Sequence, residues 1–149
     1  MHTALRHESG AHFCPACGND EWRLARMRVF CASLADVFDN HVPVQWRMDL
    51  FDLVRRCENM DFLLLTKRIG NAHAMLSEAA ARNCMPRWGS EMFSNVWIGA
   101  TICNQEEADR DVPKLLAVPA RVRFLSIEPM LGALDLSTGS GAKALPLYW

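Results

Sequence analysis

Residues able to do chemistry cluster just past the ends of short apolar runs in this chain. Asp61 to Arg68 (DFLLLTKR) passes from four apolar residues straight into Thr66, Lys67 and Arg68. Val29–Ala32 is followed by Ser33 and Asp36, and Val96–Ala100 by Thr101, Cys103 and Asn104. Val122–Ile127 contains Ser126 and leads into Glu128 and Pro129. If these runs are parallel strands, their carboxyl ends bring two cations, two carboxylates, several hydroxyls and an amide to one rim, where ligands of parallel α/β sheets sit. Lys67 and Arg68 suit a carboxylate or phosphate, Arg68 by a two-bond fork. Asp36 and Glu128 suit an amine or a ribose hydroxyl. The alternative is a purely structural rim, with Lys–Glu and Arg–Asp pairs tying neighbouring loops together.

A second group lies near the amino terminus, in HFCPACGND. Cys14 and Cys17 have the spacing of a metal knuckle, in which two thiolates reach one ion and the glycine allows a tight turn. A closed zinc site needs four ligands. Three readings stand: zinc completed by His7 and His12 or by a second chain, a surface turn with free thiols, and cluster ligation together with Cys31.

The elements that must position these groups follow from periodicity. The apolar runs are short and, in the first three cases, nearly continuous, as expected of parallel strands covered on both faces. Between them lie helical patterns. In WRMDLFDLVRRC, residues 46–57, Trp46, Leu50, Leu53, Val54 and Cys57 recur at spacings of three and four. From Asn71 to Asn83, Ala72, Met75, Leu76, Ala79 and Ala80 share a face. NQEEADRDVPKLLAVP opens on Asn104 as N-cap with Glu107 three residues on, close to a capping box. Pro113 is expected to kink or split that helix, and Pro119 to close it. Strand starts recur about 26 to 34 residues apart, the spacing of βα units with right-handed crossovers. Four strands cannot close an eight-stranded barrel, which takes roughly 250 residues. The expected fold is α/β: an open parallel sheet, or half of a TIM-like barrel.

That barrel half spans residues 28–136. Residues 1–27 form an irregular segment carrying the knuckle, and 137–149 a linker (STGSG) and tail. An exposed LPLYW end would be sticky, so the fold is expected to continue or a partner to cover it. Trp46, Trp97 and Phe124 are expected to pack in the core. His41, His73 and the Arg55–Arg56 pair are expected to be solvated.

The chain has 149 residues, half of them hydrophobic, and a formal net charge of −1, enough for one domain with a core. That charge carries no polyelectrolyte signature. There is no charged start with an apolar h-region and no apolar run near eighteen residues, so neither secretion nor membrane spanning is expected and the protein reads as cytoplasmic. In a reducing compartment the scattered cysteines read as core residues.

Four blocks, RVFCASLADVFDN, LLLTKRIGN, NVWIGATICNQEEADRDVPKLLAVPA and VRFLSIEPMLG, in this order and spacing, closely resemble a phage- and prophage-borne family of unknown function related to radical S-adenosylmethionine barrel enzymes. The resemblance covers roughly residues 28–136. It implies a partial (βα) barrel, with S-adenosylmethionine and a [4Fe–4S] cluster as cofactors. It places Ser33–Asp36 at the cofactor's amine, Lys67 or Arg68 at its carboxylate, and Thr101, Asn104 and Glu128 toward ribose or substrate; Thr66 belongs to the same rim. Relatives that repair or modify nucleic acids suggest, by analogy, a nucleic-acid base as substrate of a full-length enzyme. The chain departs from the family in three ways. The three-cysteine motif expected before RVF is missing, Cys103 stands where a carboxylate is expected, and no strands follow the fourth. It therefore reads as a fragment, a prophage remnant or a reduced module, without radical chemistry of its own. A reading from a different class is a zinc-knuckle module acting through a partner protein, with the barrel half as scaffold.

Overall fold

The structure, a computed structural model, describes residues 26–32, 34–82 and 93–136, together with the backbone of 5–6 and 12–13. Near the amino terminus β1 (Leu5–Arg6) and β2 (His12–Phe13) form a two-residue antiparallel pair. The main body runs β3 (Met27–Cys31), α1 (Val44–Arg56), β4 (Met60–Thr66), α2 (Ile69–Arg82), β5 (Val96–Thr101), α3 (Gln105–Ala117) and β6 (Val122–Ser126). The four long strands pair in parallel in the order β3-β4-β5-β6. Each strand lies beside its predecessor, so every crossover steps the same way, as in a singly wound barrel. The architecture is α/β with an open sheet, and it is consistent with part of an α/β barrel.

All three helices line one face. α1 packs on α2 and α2 on α3, and alternate strand residues disappear beneath them. Phe62, Leu64 and Thr66 of β4 are buried while Asp61, Leu63 and Leu65 between them are only half-buried. The expectation that the apolar runs are covered on both faces thus holds for β5 alone. A singly wound sheet has helices on one side only, and its other face would be the interior of a closed barrel. On that face Arg28 lies 4.6 Å over the ring of Trp97, and Phe124 lies against Gly99, its partner in the β5–β6 register. The half-buried state of Trp97 and Phe124 reflects this open side.

Helix α1 corrects the sequence reading most clearly. Its buried residues are Arg47, Phe51 and Val54; of the expected stripe, Val54 is buried and Leu50 and Cys57 pack half-buried on the core, but Trp46 and Leu53 turn outward. Trp46 is 66% and Leu53 45% exposed. The helix is apolar on two adjoining sides, and periodicity alone does not say which of them meets the sheet. Arg47 reaches inward because its Nη1 donates to the carbonyl of Val42 at 2.9 Å. The α2 stripe is as expected, with Ile69 added. In α3 the helix runs through Pro113 without splitting and ends at Ala117, with Pro119 just beyond. Its start is held on both sides: Asn104 accepts from Glu107 N at 2.9 Å, and Glu107 Oε2 accepts from Cys103 N at 2.7 Å. Asn95, buried at the opposite end of the sheet, donates to the carbonyls of Val54 and Cys57 and so satisfies the carboxyl end of α1. His41 and His73 are exposed, as are Arg55 and Arg56, which pair with Asp52.

Candidate functional site

The carboxyl ends of β3–β6 collect the polar residues at one rim, in two groups. The first is built around Asp36, in the turn after β3. Ala32 bends the chain out of β3 with φ of 56°, a left-handed conformation that costs an alanine about 1–2 kcal/mol. The Asp36 carboxylate then accepts from Phe38 N at 2.9 Å, from Thr66 Oγ1 at 2.8 Å and from Lys67 N at 3.1 Å. Thr66, itself buried at the end of β4, accepts from Arg68 N at 2.8 Å. This single carboxylate therefore sets the shape of the β4–α2 turn. Ser33, the other site residue expected in this turn, lies outside the described residues.

Arg68 closes the group. Its Nη1 stands 3.6 Å from Asp36 and its Nη2 2.9 Å from Asp39. The side chain is still about half exposed, so the guanidinium is oriented by protein and faces solvent with its remaining N–H groups. Asp39 also takes the backbone N–H and ring of His41. The His41 N–H, and after it the Arg68 charge, hold the Asp39 carboxyl below the usual aspartate value. Lys67 is exposed, and among the described residues no carboxylate lies within ion-pair reach of its ammonium. The structural alternative is thus realised for Arg68, while Lys67 is left available.

The second group lies past β5 and β6. Thr101 is buried beside Ser126, its register partner. The Asn104 side-chain oxygen serves the α3 cap, leaving its amide N–H groups. Residues 127–136 fold back over this end: Leu131 N donates to Cys103 O at 2.8 Å, and Asp135 N to Gln105 Oε1 at 2.7 Å. Glu128, exposed, precedes a cis-proline, and Cys103 lies 4.0 Å from its carbonyl.

Sequence reasoning stopped at the strand ends and missed a second wall. Between the amino end of α2 and the side of α3 lies a cleft of about 300 Å³ lined by Lys67, Arg68, Asn71, Arg110, Asp111 and Lys114, among others. Asp111 is only 6% exposed and is gripped by Arg110, through Nε at 3.1 Å and Nη2 at 2.6 Å, and by Lys114 at 2.9 Å. The Arg110 hydrogen bonds, with help from Lys114, hold its carboxyl below the ordinary value. The i, i+1, i+4 spacing of Arg110, Asp111 and Lys114 was the available signal; it reads in sequence as an ordinary solvated face.

The cluster expectation meets a specific obstacle. Among the described residues no three His, Cys, Asp or Glu side chains converge as metal ligands. Cys31 ends β3, Cys57 caps α1 at the far side of the sheet, and Cys103 follows β5. Burial pushes the Cys31 thiol above its usual value. Cys31, Cys57 and Cys103 therefore do not by themselves assemble a [4Fe–4S] site. Cys14 and Cys17 lie outside the described residues.

The chain belongs to a family described as "Protein of unknown function (DUF5131)", whose model matches residues 15–144. No curated protein and no solved structure matches it. No helix among the described residues is long and apolar enough to cross a membrane.

Proposed function

We propose that this is a phage-family, radical-SAM-like protein whose strand-end rim binds a small zwitterionic or anionic molecule, S-adenosylmethionine being the first candidate. The observation that carries this reading is the pairing of an available Lys67 with an Arg68 already aimed by Asp36 and Asp39, both at the carboxyl end of β4. Pre-orientation lowers the entropy lost on binding. Lys67 and Arg68 take the ligand carboxylate, and exposed Glu128 takes its amine or ribose hydroxyl. The free amide N–H groups of Asn104 and the hydroxyl of Thr101 supply further contacts. Asp36 acts through Arg68, as a positioning residue, with Thr66 behind it. Because its sequence lacks the three-cysteine motif expected before RVF, the chain binds without radical chemistry of its own, and a nucleic-acid base remains the substrate class for a longer, cluster-bearing relative.

Calorimetry with S-adenosylmethionine tests this. Wild-type protein should bind, and Lys67→Ala and Arg68→Ala should each weaken binding at least tenfold while the circular dichroism stays unchanged. Unaltered binding in both variants removes the rim assignment.

One observation favours a second reading, a module that works through a partner protein with zinc at Cys14 and Cys17. Trp46 and Leu53 expose apolar surface on one side of α1, and Trp46 and Leu50 border an apolar hollow of about 190 Å³. This reading expects tightly held zinc that is lost on Cys14→Ser; protein purified without metal would sink it.

A further inference from the structure

The cleft between α2 and α3 has a composition that the rim reading does not explain. Four cations line it, Lys67 and Arg68 on one wall and Arg110 and Lys114 on the other, facing a single lining carboxylate, Asp111. Arg68 is also shared with Asp36 and Asp39 outside the lining. Concentrating like charges in a small space is unfavourable unless something of opposite sign is drawn in. Glu106 and Glu107, a turn back along α3, also act on Arg110 from outside the lining, but Asp111 does not complete the neutralisation, because it does not pair with Lys67. Nearly buried, it grips Arg110 by two bonds and Lys114 by one, fixing both heads while using a minority of their N–H groups. Three N–H groups of Arg110 and two of Lys114 are left over by this count. The amino end of α2 opens into the same cleft through Ile69, Gly70 and Asn71, with no acidic residue in its first turn to cancel the helix dipole. Gly70 keeps this approach open, since only the Lys114 stem, at 3.7 Å, would face a side chain there.

We infer that this cleft is a binding site for a phosphate-bearing small molecule. Two opposed walls of cations beside a helix amino end are the arrangement that a dianionic phosphate or diphosphate meets best. A cleft of about 300 Å³ falls at the lower end of small-molecule sites. It has room for more than one phosphate group, so a diphosphate or a nucleotide fits the class. The site goes beyond the rim proposal: it shares Lys67 and Arg68 with it, but half of its cations come from α3, away from the strand ends.

The test is calorimetric titration with inorganic pyrophosphate and, separately, with adenosine monophosphate, at low and at moderate salt. Wild-type protein should bind at least one of the two, more weakly as salt rises. Lys114→Met keeps the aliphatic stem over Gly70, and Lys67→Met alters an exposed residue, so neither variant should unfold the protein. Each should weaken binding about tenfold, as expected for the loss of one charge-assisted contact. Tighter binding of the monophosphate would identify a nucleotide as the source of the phosphate; tighter pyrophosphate would identify a free diphosphate. Lack of binding of either probe at millimolar concentration overturns the inference, and so does binding unaltered by Lys114→Met. The rim reading is tested separately, because Lys114→Met should leave S-adenosylmethionine affinity as it was.

Discussion

Asp36→Ala should be among the most damaging substitutions outside the apolar core. The aspartate accepts from three donors in two segments, Phe38 N, Thr66 Oγ1 and Lys67 N, and faces Arg68 at 3.6 Å. Phe38 and Thr66 are essentially buried, so their donors cannot turn to water, and each orphaned buried donor costs about 1–3 kcal/mol. Lys67 is exposed and its N–H can be hydrated, and the half-exposed Arg68 ion pair adds about 0–1 kcal/mol. The total is roughly 2–7 kcal/mol. With a urea slope of about 2 kcal/mol per molar, the unfolding midpoint should fall by about 1–3.5 M. Asp36→Asn keeps one acceptor and should lose roughly half as much. Thr66→Val removes the partner hydroxyl, and a double-mutant cycle with Asp36→Ala should show coupling of at least ~0.5 kcal/mol. A midpoint for Asp36→Ala within ~0.3 M of wild type, together with no coupling to Thr66, would refute the claim that this carboxylate builds the β4–α2 turn.

Other expectations follow from single contacts. A Cβ at Gly99 would stand 2.7 Å from Cε1 of Phe124 and closer still to Cζ and Cε2. Gly99→Ala should therefore destabilise by about 1–3 kcal/mol, and adding Phe124→Leu should recover part of the loss; equal denaturation midpoints for wild type and Gly99→Ala would contradict the stacking. Asp111 has a folded-state pKa below the ordinary aspartate value of 3.8. Its pairing should stabilise fully above that value and be lost as pH falls through the depressed folded pKa. Urea midpoints from pH 5 to pH 2 should accordingly fall less steeply for Asp111→Asn than for wild type; identical slopes would remove Asp111 from the acid transition. Asn95→Ala removes the side-chain donor shared by two carbonyls at the end of α1, each of which keeps a backbone N–H, from Cys57 and Met60, and should cost about 0.5–1.5 kcal/mol in a thermal or urea melt; no measurable loss would mean that water replaces it.

Much of the fold was legible because long-range order here follows from local pattern. Each apolar run became a strand within two or three residues of its expected ends, and the α3 start was readable from Asn104 and Glu107. The orientation of α1 was not. Trp46, Leu50 and Leu53 form a regular stripe, but Arg47 and Phe51 face the sheet, and only tertiary packing decides between two adjoining apolar sides. One-sided coverage of β4 was equally hidden, since FLLL reads the same whether or not a second layer exists. At the site, strand-end logic found Asp36, Thr66, Lys67 and Arg68, which the fold unites. It missed Asp39, which fixes Arg68, and the α3 wall of Arg110, Asp111 and Lys114. Asp39 meets Arg68 across 29 positions of sequence, and the α3 residues meet Lys67 and Arg68 across 42 to 47 through helix packing, distances at which spacing carries no signal.

The central claim, that the strand-end rim is a ligand site, is tested most directly by amide chemical-shift mapping of labelled protein titrated with S-adenosylmethionine. The account predicts saturable shifts concentrated at Lys67, Arg68, Thr101, Asn104 and Glu128, with the opposite end of the sheet, around Asn95 and Cys57, unmoved. Shifts absent at saturating ligand, or centred away from the strand ends, would contradict it.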